Sequence, residues 1–166
     1  MKLKEQMISQ VVIGSGAAGF QSALRLYQNG ERSLAVVTEN INAGTSRNTG
    51  SDKQTYYKLT LSGKDPDSVG NMAEDLFAGQ CVDGDQALCE AALSARCFFA
   101  LAELGVPFPC TEQGEFMGYK TDHDRGRRAT SAGPYTSKLM TEALEKAVKE
   151  KKIQILDQMQ VIRLLT

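Results

Sequence analysis

Between a β-branched run, Val11-Val12-Ile13, and a helix-forming stretch lies the turn Gly14-Ser15-Gly16-Ala17-Ala18-Gly19. Glycines spaced this way at a strand-to-helix junction suit one chemistry, the capture of a dinucleotide diphosphate by backbone groups. Gly14 permits the tight turn. Gly16 has no Cβ, so a pyrophosphate can approach its backbone, and Gly19 lets helix and strand pack closely. The free N–H groups and the positive end of the helix then face the diphosphate. The plain alternative is a glycine-bearing turn with no ligand; the strand before it and the helix after it favour the ligand.

The acidic ribose partner of such a site is expected about twenty residues on, at the end of the second strand. Glu39 lies in that range, and Thr38 precedes it. Either could face the ribose. If Thr38 does, its hydroxyl replaces a carboxylate and Glu39 is a solvated loop residue. Residues 42–52 hold Gly44, Thr45, Ser46, Asn48, Thr49, Gly50 and Ser51 without apolar periodicity, which makes them a loop by composition. Small hydroxyls and backbone N–H groups suit a phosphate or a flavin edge, whereas an ordinary surface loop of this composition would be costly to order without a ligand.

The elements that must position these residues follow from periodicity. Residues 7–13 read as a buried parallel strand. A helix is expected over 17–29, with Ala18, Leu24, Leu26 and Tyr27 as its apolar stripe and Gly30 as its stop. A second strand over 33–37 completes a βαβ unit. Pro66-Asp67-Ser68 opens a helix over 69–79, and another runs from Asp85 to about Leu104. Gly105-Val106-Pro107-Phe108-Pro109 turns the chain, Glu112-Gln113-Gly114-Glu115 reads as a hairpin turn, and 118–134 as a polar, basic loop. A last amphipathic helix spans 135–149, with Leu139, Met140, Ala143, Leu144 and Ala147 on one face, before short strands over 153–156 and 160–165.

Composition narrows the function. With 19 basic and 20 acidic side chains the net charge is -1, against the basic excess of nucleic-acid binders. Cys81, Cys89 and Cys97 are eight residues apart and Cys110 stands alone, so the chelate spacing of a metal site is missing and no metal is expected. No long apolar run predicts a membrane span, and the start lacks the apolar core of a signal peptide. A cytoplasmic, reduced setting is expected. The single histidine, His123, sits in the charged loop Thr121-Asp122-His123-Asp124-Arg125 and reads as solvated. Arg127 and Arg128 either meet a phosphate or anionic substrate or belong to a solvated basic loop.

Taken in order, Val12-Ile13-Gly14-Ser15-Gly16-Ala17-Ala18-Gly19, Ala43-Gly44-Thr45-Ser46, Leu104-Gly105-Val106-Pro107-Phe108 and Arg127-Arg128-Ala129-Thr130 resemble the fumarate reductase/succinate dehydrogenase flavoprotein family, which includes L-aspartate oxidases. The first motif is shared by many flavoproteins; the four-part order is more specific. The resemblance implies an α/β fold, a Rossmann-like FAD-binding domain with a parallel sheet and flanking helices, incomplete here. It implies that Gly14, Ser15, Gly16, Ala17, Ala18 and Gly19 hold the FAD diphosphate. Thr38, Glu39 and Asn40 would lie near the adenosine ribose. Gly44, Thr45, Ser46, Gly50 and Ser51 would run along the diphosphate and isoalloxazine, and Val161 would meet the adenine through its backbone. The segment from Arg128 to Ser137 would lead into a helix behind the cofactor.

Two departures from the family pattern matter. Thr45 stands near the position where membrane-complex members carry a histidine covalently linked to flavin, so non-covalent FAD is expected, and by analogy a potential that favours substrate reduction. Family members also run to several hundred residues, and their capping domain and substrate-binding residues follow the region matched here. Residues 1–166 are therefore expected to be the N-terminal part of an FAD-binding domain, inactive alone, with catalytic residues beyond Thr166. The whole enzyme would exchange hydride with a small dicarboxylate or enoate, with an electron-transfer subunit or a second copy as partner. The competing expectations are an NAD(P)-binding Rossmann domain, for which the 42–52 loop has no standard role, and a truncated chain without activity.

Overall fold

The computed structural model describes residues 5–121 and 124–165. Its elements run β1 (Gln10–Ile13), α1 (Ala17–Gln28), β2 (Leu34–Val37), α2 (Thr45–Asn48), β3 (Tyr56–Tyr57), α3 (Val69–Ala78), α4 (Gly84–Glu103), β4 (Ala129–Thr130), α5 (Thr136–Glu150) and β5 (Gln154–Leu156). They form two compact units, one made of the residues up to Gly50 and those from Ser137 onward, the other Ser51–Thr136.

The first unit is built on a parallel sheet in the order β1-β2-β5. Val12 is in register with Val36, and Val36 with Ile155. The α/β fold with flanking helices expected from the sequence is present. Leu34, Ala35 and Val36 of β2 are buried, as the central strand of a parallel sheet requires. β1 is not the buried strand expected: it has one neighbour, and Val11 and Ile13 are 50% and 64% exposed. Helix α1 buries Phe20, Ala23 and Leu24, whereas Ala18, assigned to its apolar stripe, is exposed. Gly30 takes φ 99°, and the N–H groups of Gly30 and Glu31 donate to the carbonyls of Tyr27 and Leu26. That left-handed close ends the helix where glycine predicted it. Thr141, Leu144, Ala147 and Val148 of α5 are buried. β5 forms as expected, but 160–165 is not a strand, because none of its residues pairs with the sheet.

The second unit holds α3, α4 and the antiparallel pair β3-β4. Ser68 caps α3 through the Asn71 N–H, and Asp83 caps α4 through the N–H groups of Asp85 and Gln86. Phe98 of α4 packs against Phe108 and Phe116, with ring centroids 4.6 and 4.9 Å away. The hairpin turn is present, with Cys110 paired to Phe116. The stretch 118–134 is not a plain loop, since it supplies β4, and Tyr119 bridges to Ala129.

Candidate functional site

β1 delivers the chain to Gly14, whose φ of 106° lies in the left-handed region that favours glycine. The Gly14 N–H donates to the Val37 carbonyl, which ties the turn to the end of β2. A Cβ at Gly19 would strike the Gly14 carbonyl oxygen, so helix and turn pack as closely as the glycine spacing implied. At Gly16 an added Cβ would meet only Ser46 Oγ, at 3.4 Å. The backbone there is bare, and α1 begins with neither a side-chain cap nor an acidic residue in its first turn. Its orphan N–H groups and positive end are free of an internal carboxylate.

A cleft of about 560 Å³ opens at this turn, entirely within the first unit. Among the expected site residues, Gly14, Ser15, Gly16, Thr38, Glu39, Asn40, Gly44, Thr45, Ser46 and Val161 line it. Ala17, Ala18 and Gly19 do not; Ala17 contributes its N–H, which donates to Ser46 Oγ at 3.4 Å. Gly50 does not line the cleft either, and Ser51 belongs to the second unit. The structure separates the two ribose candidates. Thr38 is 8% exposed, and its hydroxyl shares a 2.9 Å hydrogen bond with that of Ser15, whereas the Glu39 side chain is exposed.

Sequence reasoning missed Met159 and Gln160, which line the same cleft. They are held there by the Met159 N–H donating to the Thr38 carbonyl and by Asp157 accepting from the Ile41 N–H at 2.8 Å. Only their closeness to Val161 could have flagged them. The cleft lining includes no lysine or arginine. What the cleft offers an anion is amide dipoles and hydroxyls, the groups found at helix N-termini that bind phosphate.

Residues 10–166 match the FAD binding domain family. The chain belongs to that family. FAD is its cofactor, and the bare backbone at Gly16 before an uncapped helix fits the diphosphate. No curated protein matches the sequence. Among solved structures, Sdh1 of Mycobacterium smegmatis, in complex with UQ1, superposes with TM-score 0.73 at 18% identity over 90% of this chain. The E. coli quinol fumarate reductase FrdA gives 0.72 at 17% over 91%. The 3-ketosteroid-delta4-(5alpha)-dehydrogenase from Rhodococcus jostii RHA1 gives 0.72 at 17% over 95%. The likeness is one of fold, and it bears out the resemblance to the succinate dehydrogenase and fumarate reductase flavoproteins at that level. The chain spans 27%, 26% and 39% of those three proteins.

Arg127 is exposed, as the solvated reading expected, whereas Arg128 takes neither expected role. Arg128 is wholly buried. Its guanidinium donates to both Asp67 oxygens, at 3.0 and 2.8 Å, to Asp75 at 2.6 Å and to the Tyr57 hydroxyl at 3.0 Å. The Tyr57 hydroxyl in turn donates to Asp124. Arg127 pairs with Asp65 at 3.2 Å. Burial would raise the Asp67 carboxyl, but hydrogen bonds from Arg128 and from the Thr60 and Ser68 N–H groups hold it at about 2. His123 lies outside the described residues. Among the described residues no group of histidine, cysteine and carboxylate side chains could hold a metal, and no helix is long and apolar enough to cross a membrane.

Proposed function

We propose that this chain is the FAD-cradling part of an oxidoreductase of the fumarate reductase/succinate dehydrogenase type, with the cofactor held non-covalently. The observation that carries the reading is the cleft at the Gly14–Gly19 turn, which brings together backbone amides, the Thr45 and Ser46 side chains and the Glu39 carboxylate. The amides at the start of α1 bind the diphosphate, Glu39 accepts from the ribose hydroxyls, and Val161 with Met159 and Gln160 borders the adenine. Thr38 instead braces Ser15 from beneath.

Thr45 lines the cleft near the position where a histidine would be needed for a covalent link. A threonine hydroxyl is a poor nucleophile at its free pKa, which supports a non-covalent flavin. Bound FAD supplies hydride exchange with a small dicarboxylate or enoate. This chain's own residues orient and hold the cofactor, and the substrate-binding groups belong to the rest of a longer enzyme. An electron-transfer subunit or a second copy of the enzyme is the partner that this reading requires.

The test is the absorbance spectrum of the purified protein with and without added FAD, run beside Gly16→Val. An added Cβ at Gly16 meets only Ser46 Oγ, itself in the cleft, so the variant should keep its fold and lose FAD affinity by about 10- to 100-fold. Equal flavin retention in both proteins would remove the assigned site. Acid precipitation of the loaded protein should leave all yellow colour in the supernatant; colour in the pellet would mean a covalent link.

A further inference from the structure

Helix α2 is a single turn of four residues, too short to persist on its own hydrogen bonds. Two of its residues, Thr45 and Ser46, line the flavin cleft. Most of its restraints are local. Asn48 Nδ2 donates to the Asn42 and Gly44 carbonyls at 2.6 and 3.1 Å, and the Thr49 hydroxyl to the Thr45 carbonyl at 2.6 Å. Two ties are long-range: Ser46 Oγ accepts from the Ala17 N–H at 3.4 Å, and Arg47 reaches α5. Its guanidinium donates to Glu145 of α5 and lies 3.6 Å from Glu142. Arg47 and Glu145 are nearly enclosed, with side chains 12% and 13% exposed, while Glu142 is 44% exposed.

An ion pair this enclosed differs from a surface pair. It is little screened by solvent, and its geometry is set by the packing around it. Arg47 Nε is buried without a hydrogen-bond partner among the described residues, where the guanidinium is held by its terminal nitrogens. Nothing in the local sequence of the turn requires this arginine. Thr45 and Ser46 line the cleft, whereas Arg47 faces α5.

We propose that Arg47 and Glu145 are positioning residues for the flavin site. Their pair moors the α2 turn to α5 and thereby sets where Thr45 and Ser46 stand along the cofactor. Flavin affinity then depends on a contact that never touches flavin. The inference rests on the flavin reading of the cleft above.

The experiment is a double-mutant cycle on FAD affinity, read by flavin fluorescence, with the thermal midpoint of each FAD-free protein measured alongside. Arg47→Met and Glu145→Gln should each raise the FAD dissociation constant about tenfold, the step that one interaction of ordinary size makes. The double variant should bind no worse than the weaker single, because both remove the same contact. Arg47→Lys, which keeps a charge opposite Glu145, should recover most of the affinity. If Arg47→Met fails to fold, Glu145→Gln and Arg47→Lys carry the test. Wild-type affinity in Glu145→Gln would overturn the mooring role. So would losses that multiply in the double variant, or a fall in FAD-free stability large enough to account for the weaker binding. Those results leave the flavin site standing, since the parent protein would still bind FAD and Gly16→Val would still lose it. A parent protein that fails to bind FAD overturns the flavin reading itself.

Discussion

Lys58 is wholly buried, and its Nζ has no hydrogen-bond partner among the described residues. Its Nζ lies over the Phe98 ring, 4.8 Å from the centroid. Burial holds the amine below the usual lysine range. The folded state therefore binds this proton less tightly than the unfolded chain does, and the stability tied to this group rises as pH climbs from the lowered folded value toward 10.5. An apolar side chain of similar length removes the unpaired group without opening a cavity. Lys58→Met should stabilise the protein by about 1–3 kcal/mol, read as a higher midpoint in urea unfolding. A lower midpoint would mean that the ammonium and the aromatic ring attract strongly enough to offset the desolvation.

At the scale of elements, Arg128 joins β4 to the start and middle of α3. Asp67 precedes the Ser68 cap and Asp75 lies within the helix. Removing the guanidinium would strand the nearly buried Asp67 carboxylate and leave Asp75 to Arg125 alone. Arg128→Met should cost about 3–5 kcal/mol in chemical unfolding, and Arg128→Lys should rescue little because an ammonium cannot reproduce the bidentate fork. The same network gives an acid limit. The Asp67 carboxyl sits at about 2 when folded against 3.8 when free, so its contribution is complete above 3.8 and is lost as pH falls toward 2. Thermal midpoints measured across that range should fall steeply in the parent protein, and less steeply in Asp67→Asn, which has already lost the titrating group.

At the scale of the whole molecule, the net charge of -1 and a cleft lined without lysine or arginine shape how an anionic cofactor is held. Amide dipoles act over a turn of helix and are sheltered by the cleft walls. FAD affinity should therefore change by less than about threefold between low and physiological salt, because there is no exposed cation pair to screen. A steep salt dependence in a fluorescence titration would show that a basic side chain from elsewhere in the enzyme reaches the diphosphate.

The glycine turn, the strands on either side of the first helix, the stops at Gly30 and Gly105 and the helix opening at Ser68 are legible in the sequence, because each depends on backbone geometry within a few residues. The diphosphate cradle belongs to that class, since three glycines carry most of its stereochemistry. Other outcomes were settled only when distant residues met. Thr38 and Glu39 are adjacent and equally plausible as ribose partners, and only the fold shows that Ser15, 23 residues away, takes the Thr38 hydroxyl, on which the proposed role of Glu39 rests. Arg128 reads as a loop cation until Asp67, 61 residues earlier, encloses it. Arg47 carries no local signal at all, and its role appears only where α5 brings Glu145 alongside, 98 residues on. Local conformation is decided by φ, ψ and neighbouring side chains, so the sequence of this chain determines its turns and its cofactor motif. The worth of a charge depends on which counter-charge shares its enclosure, and only the tertiary fold decides that.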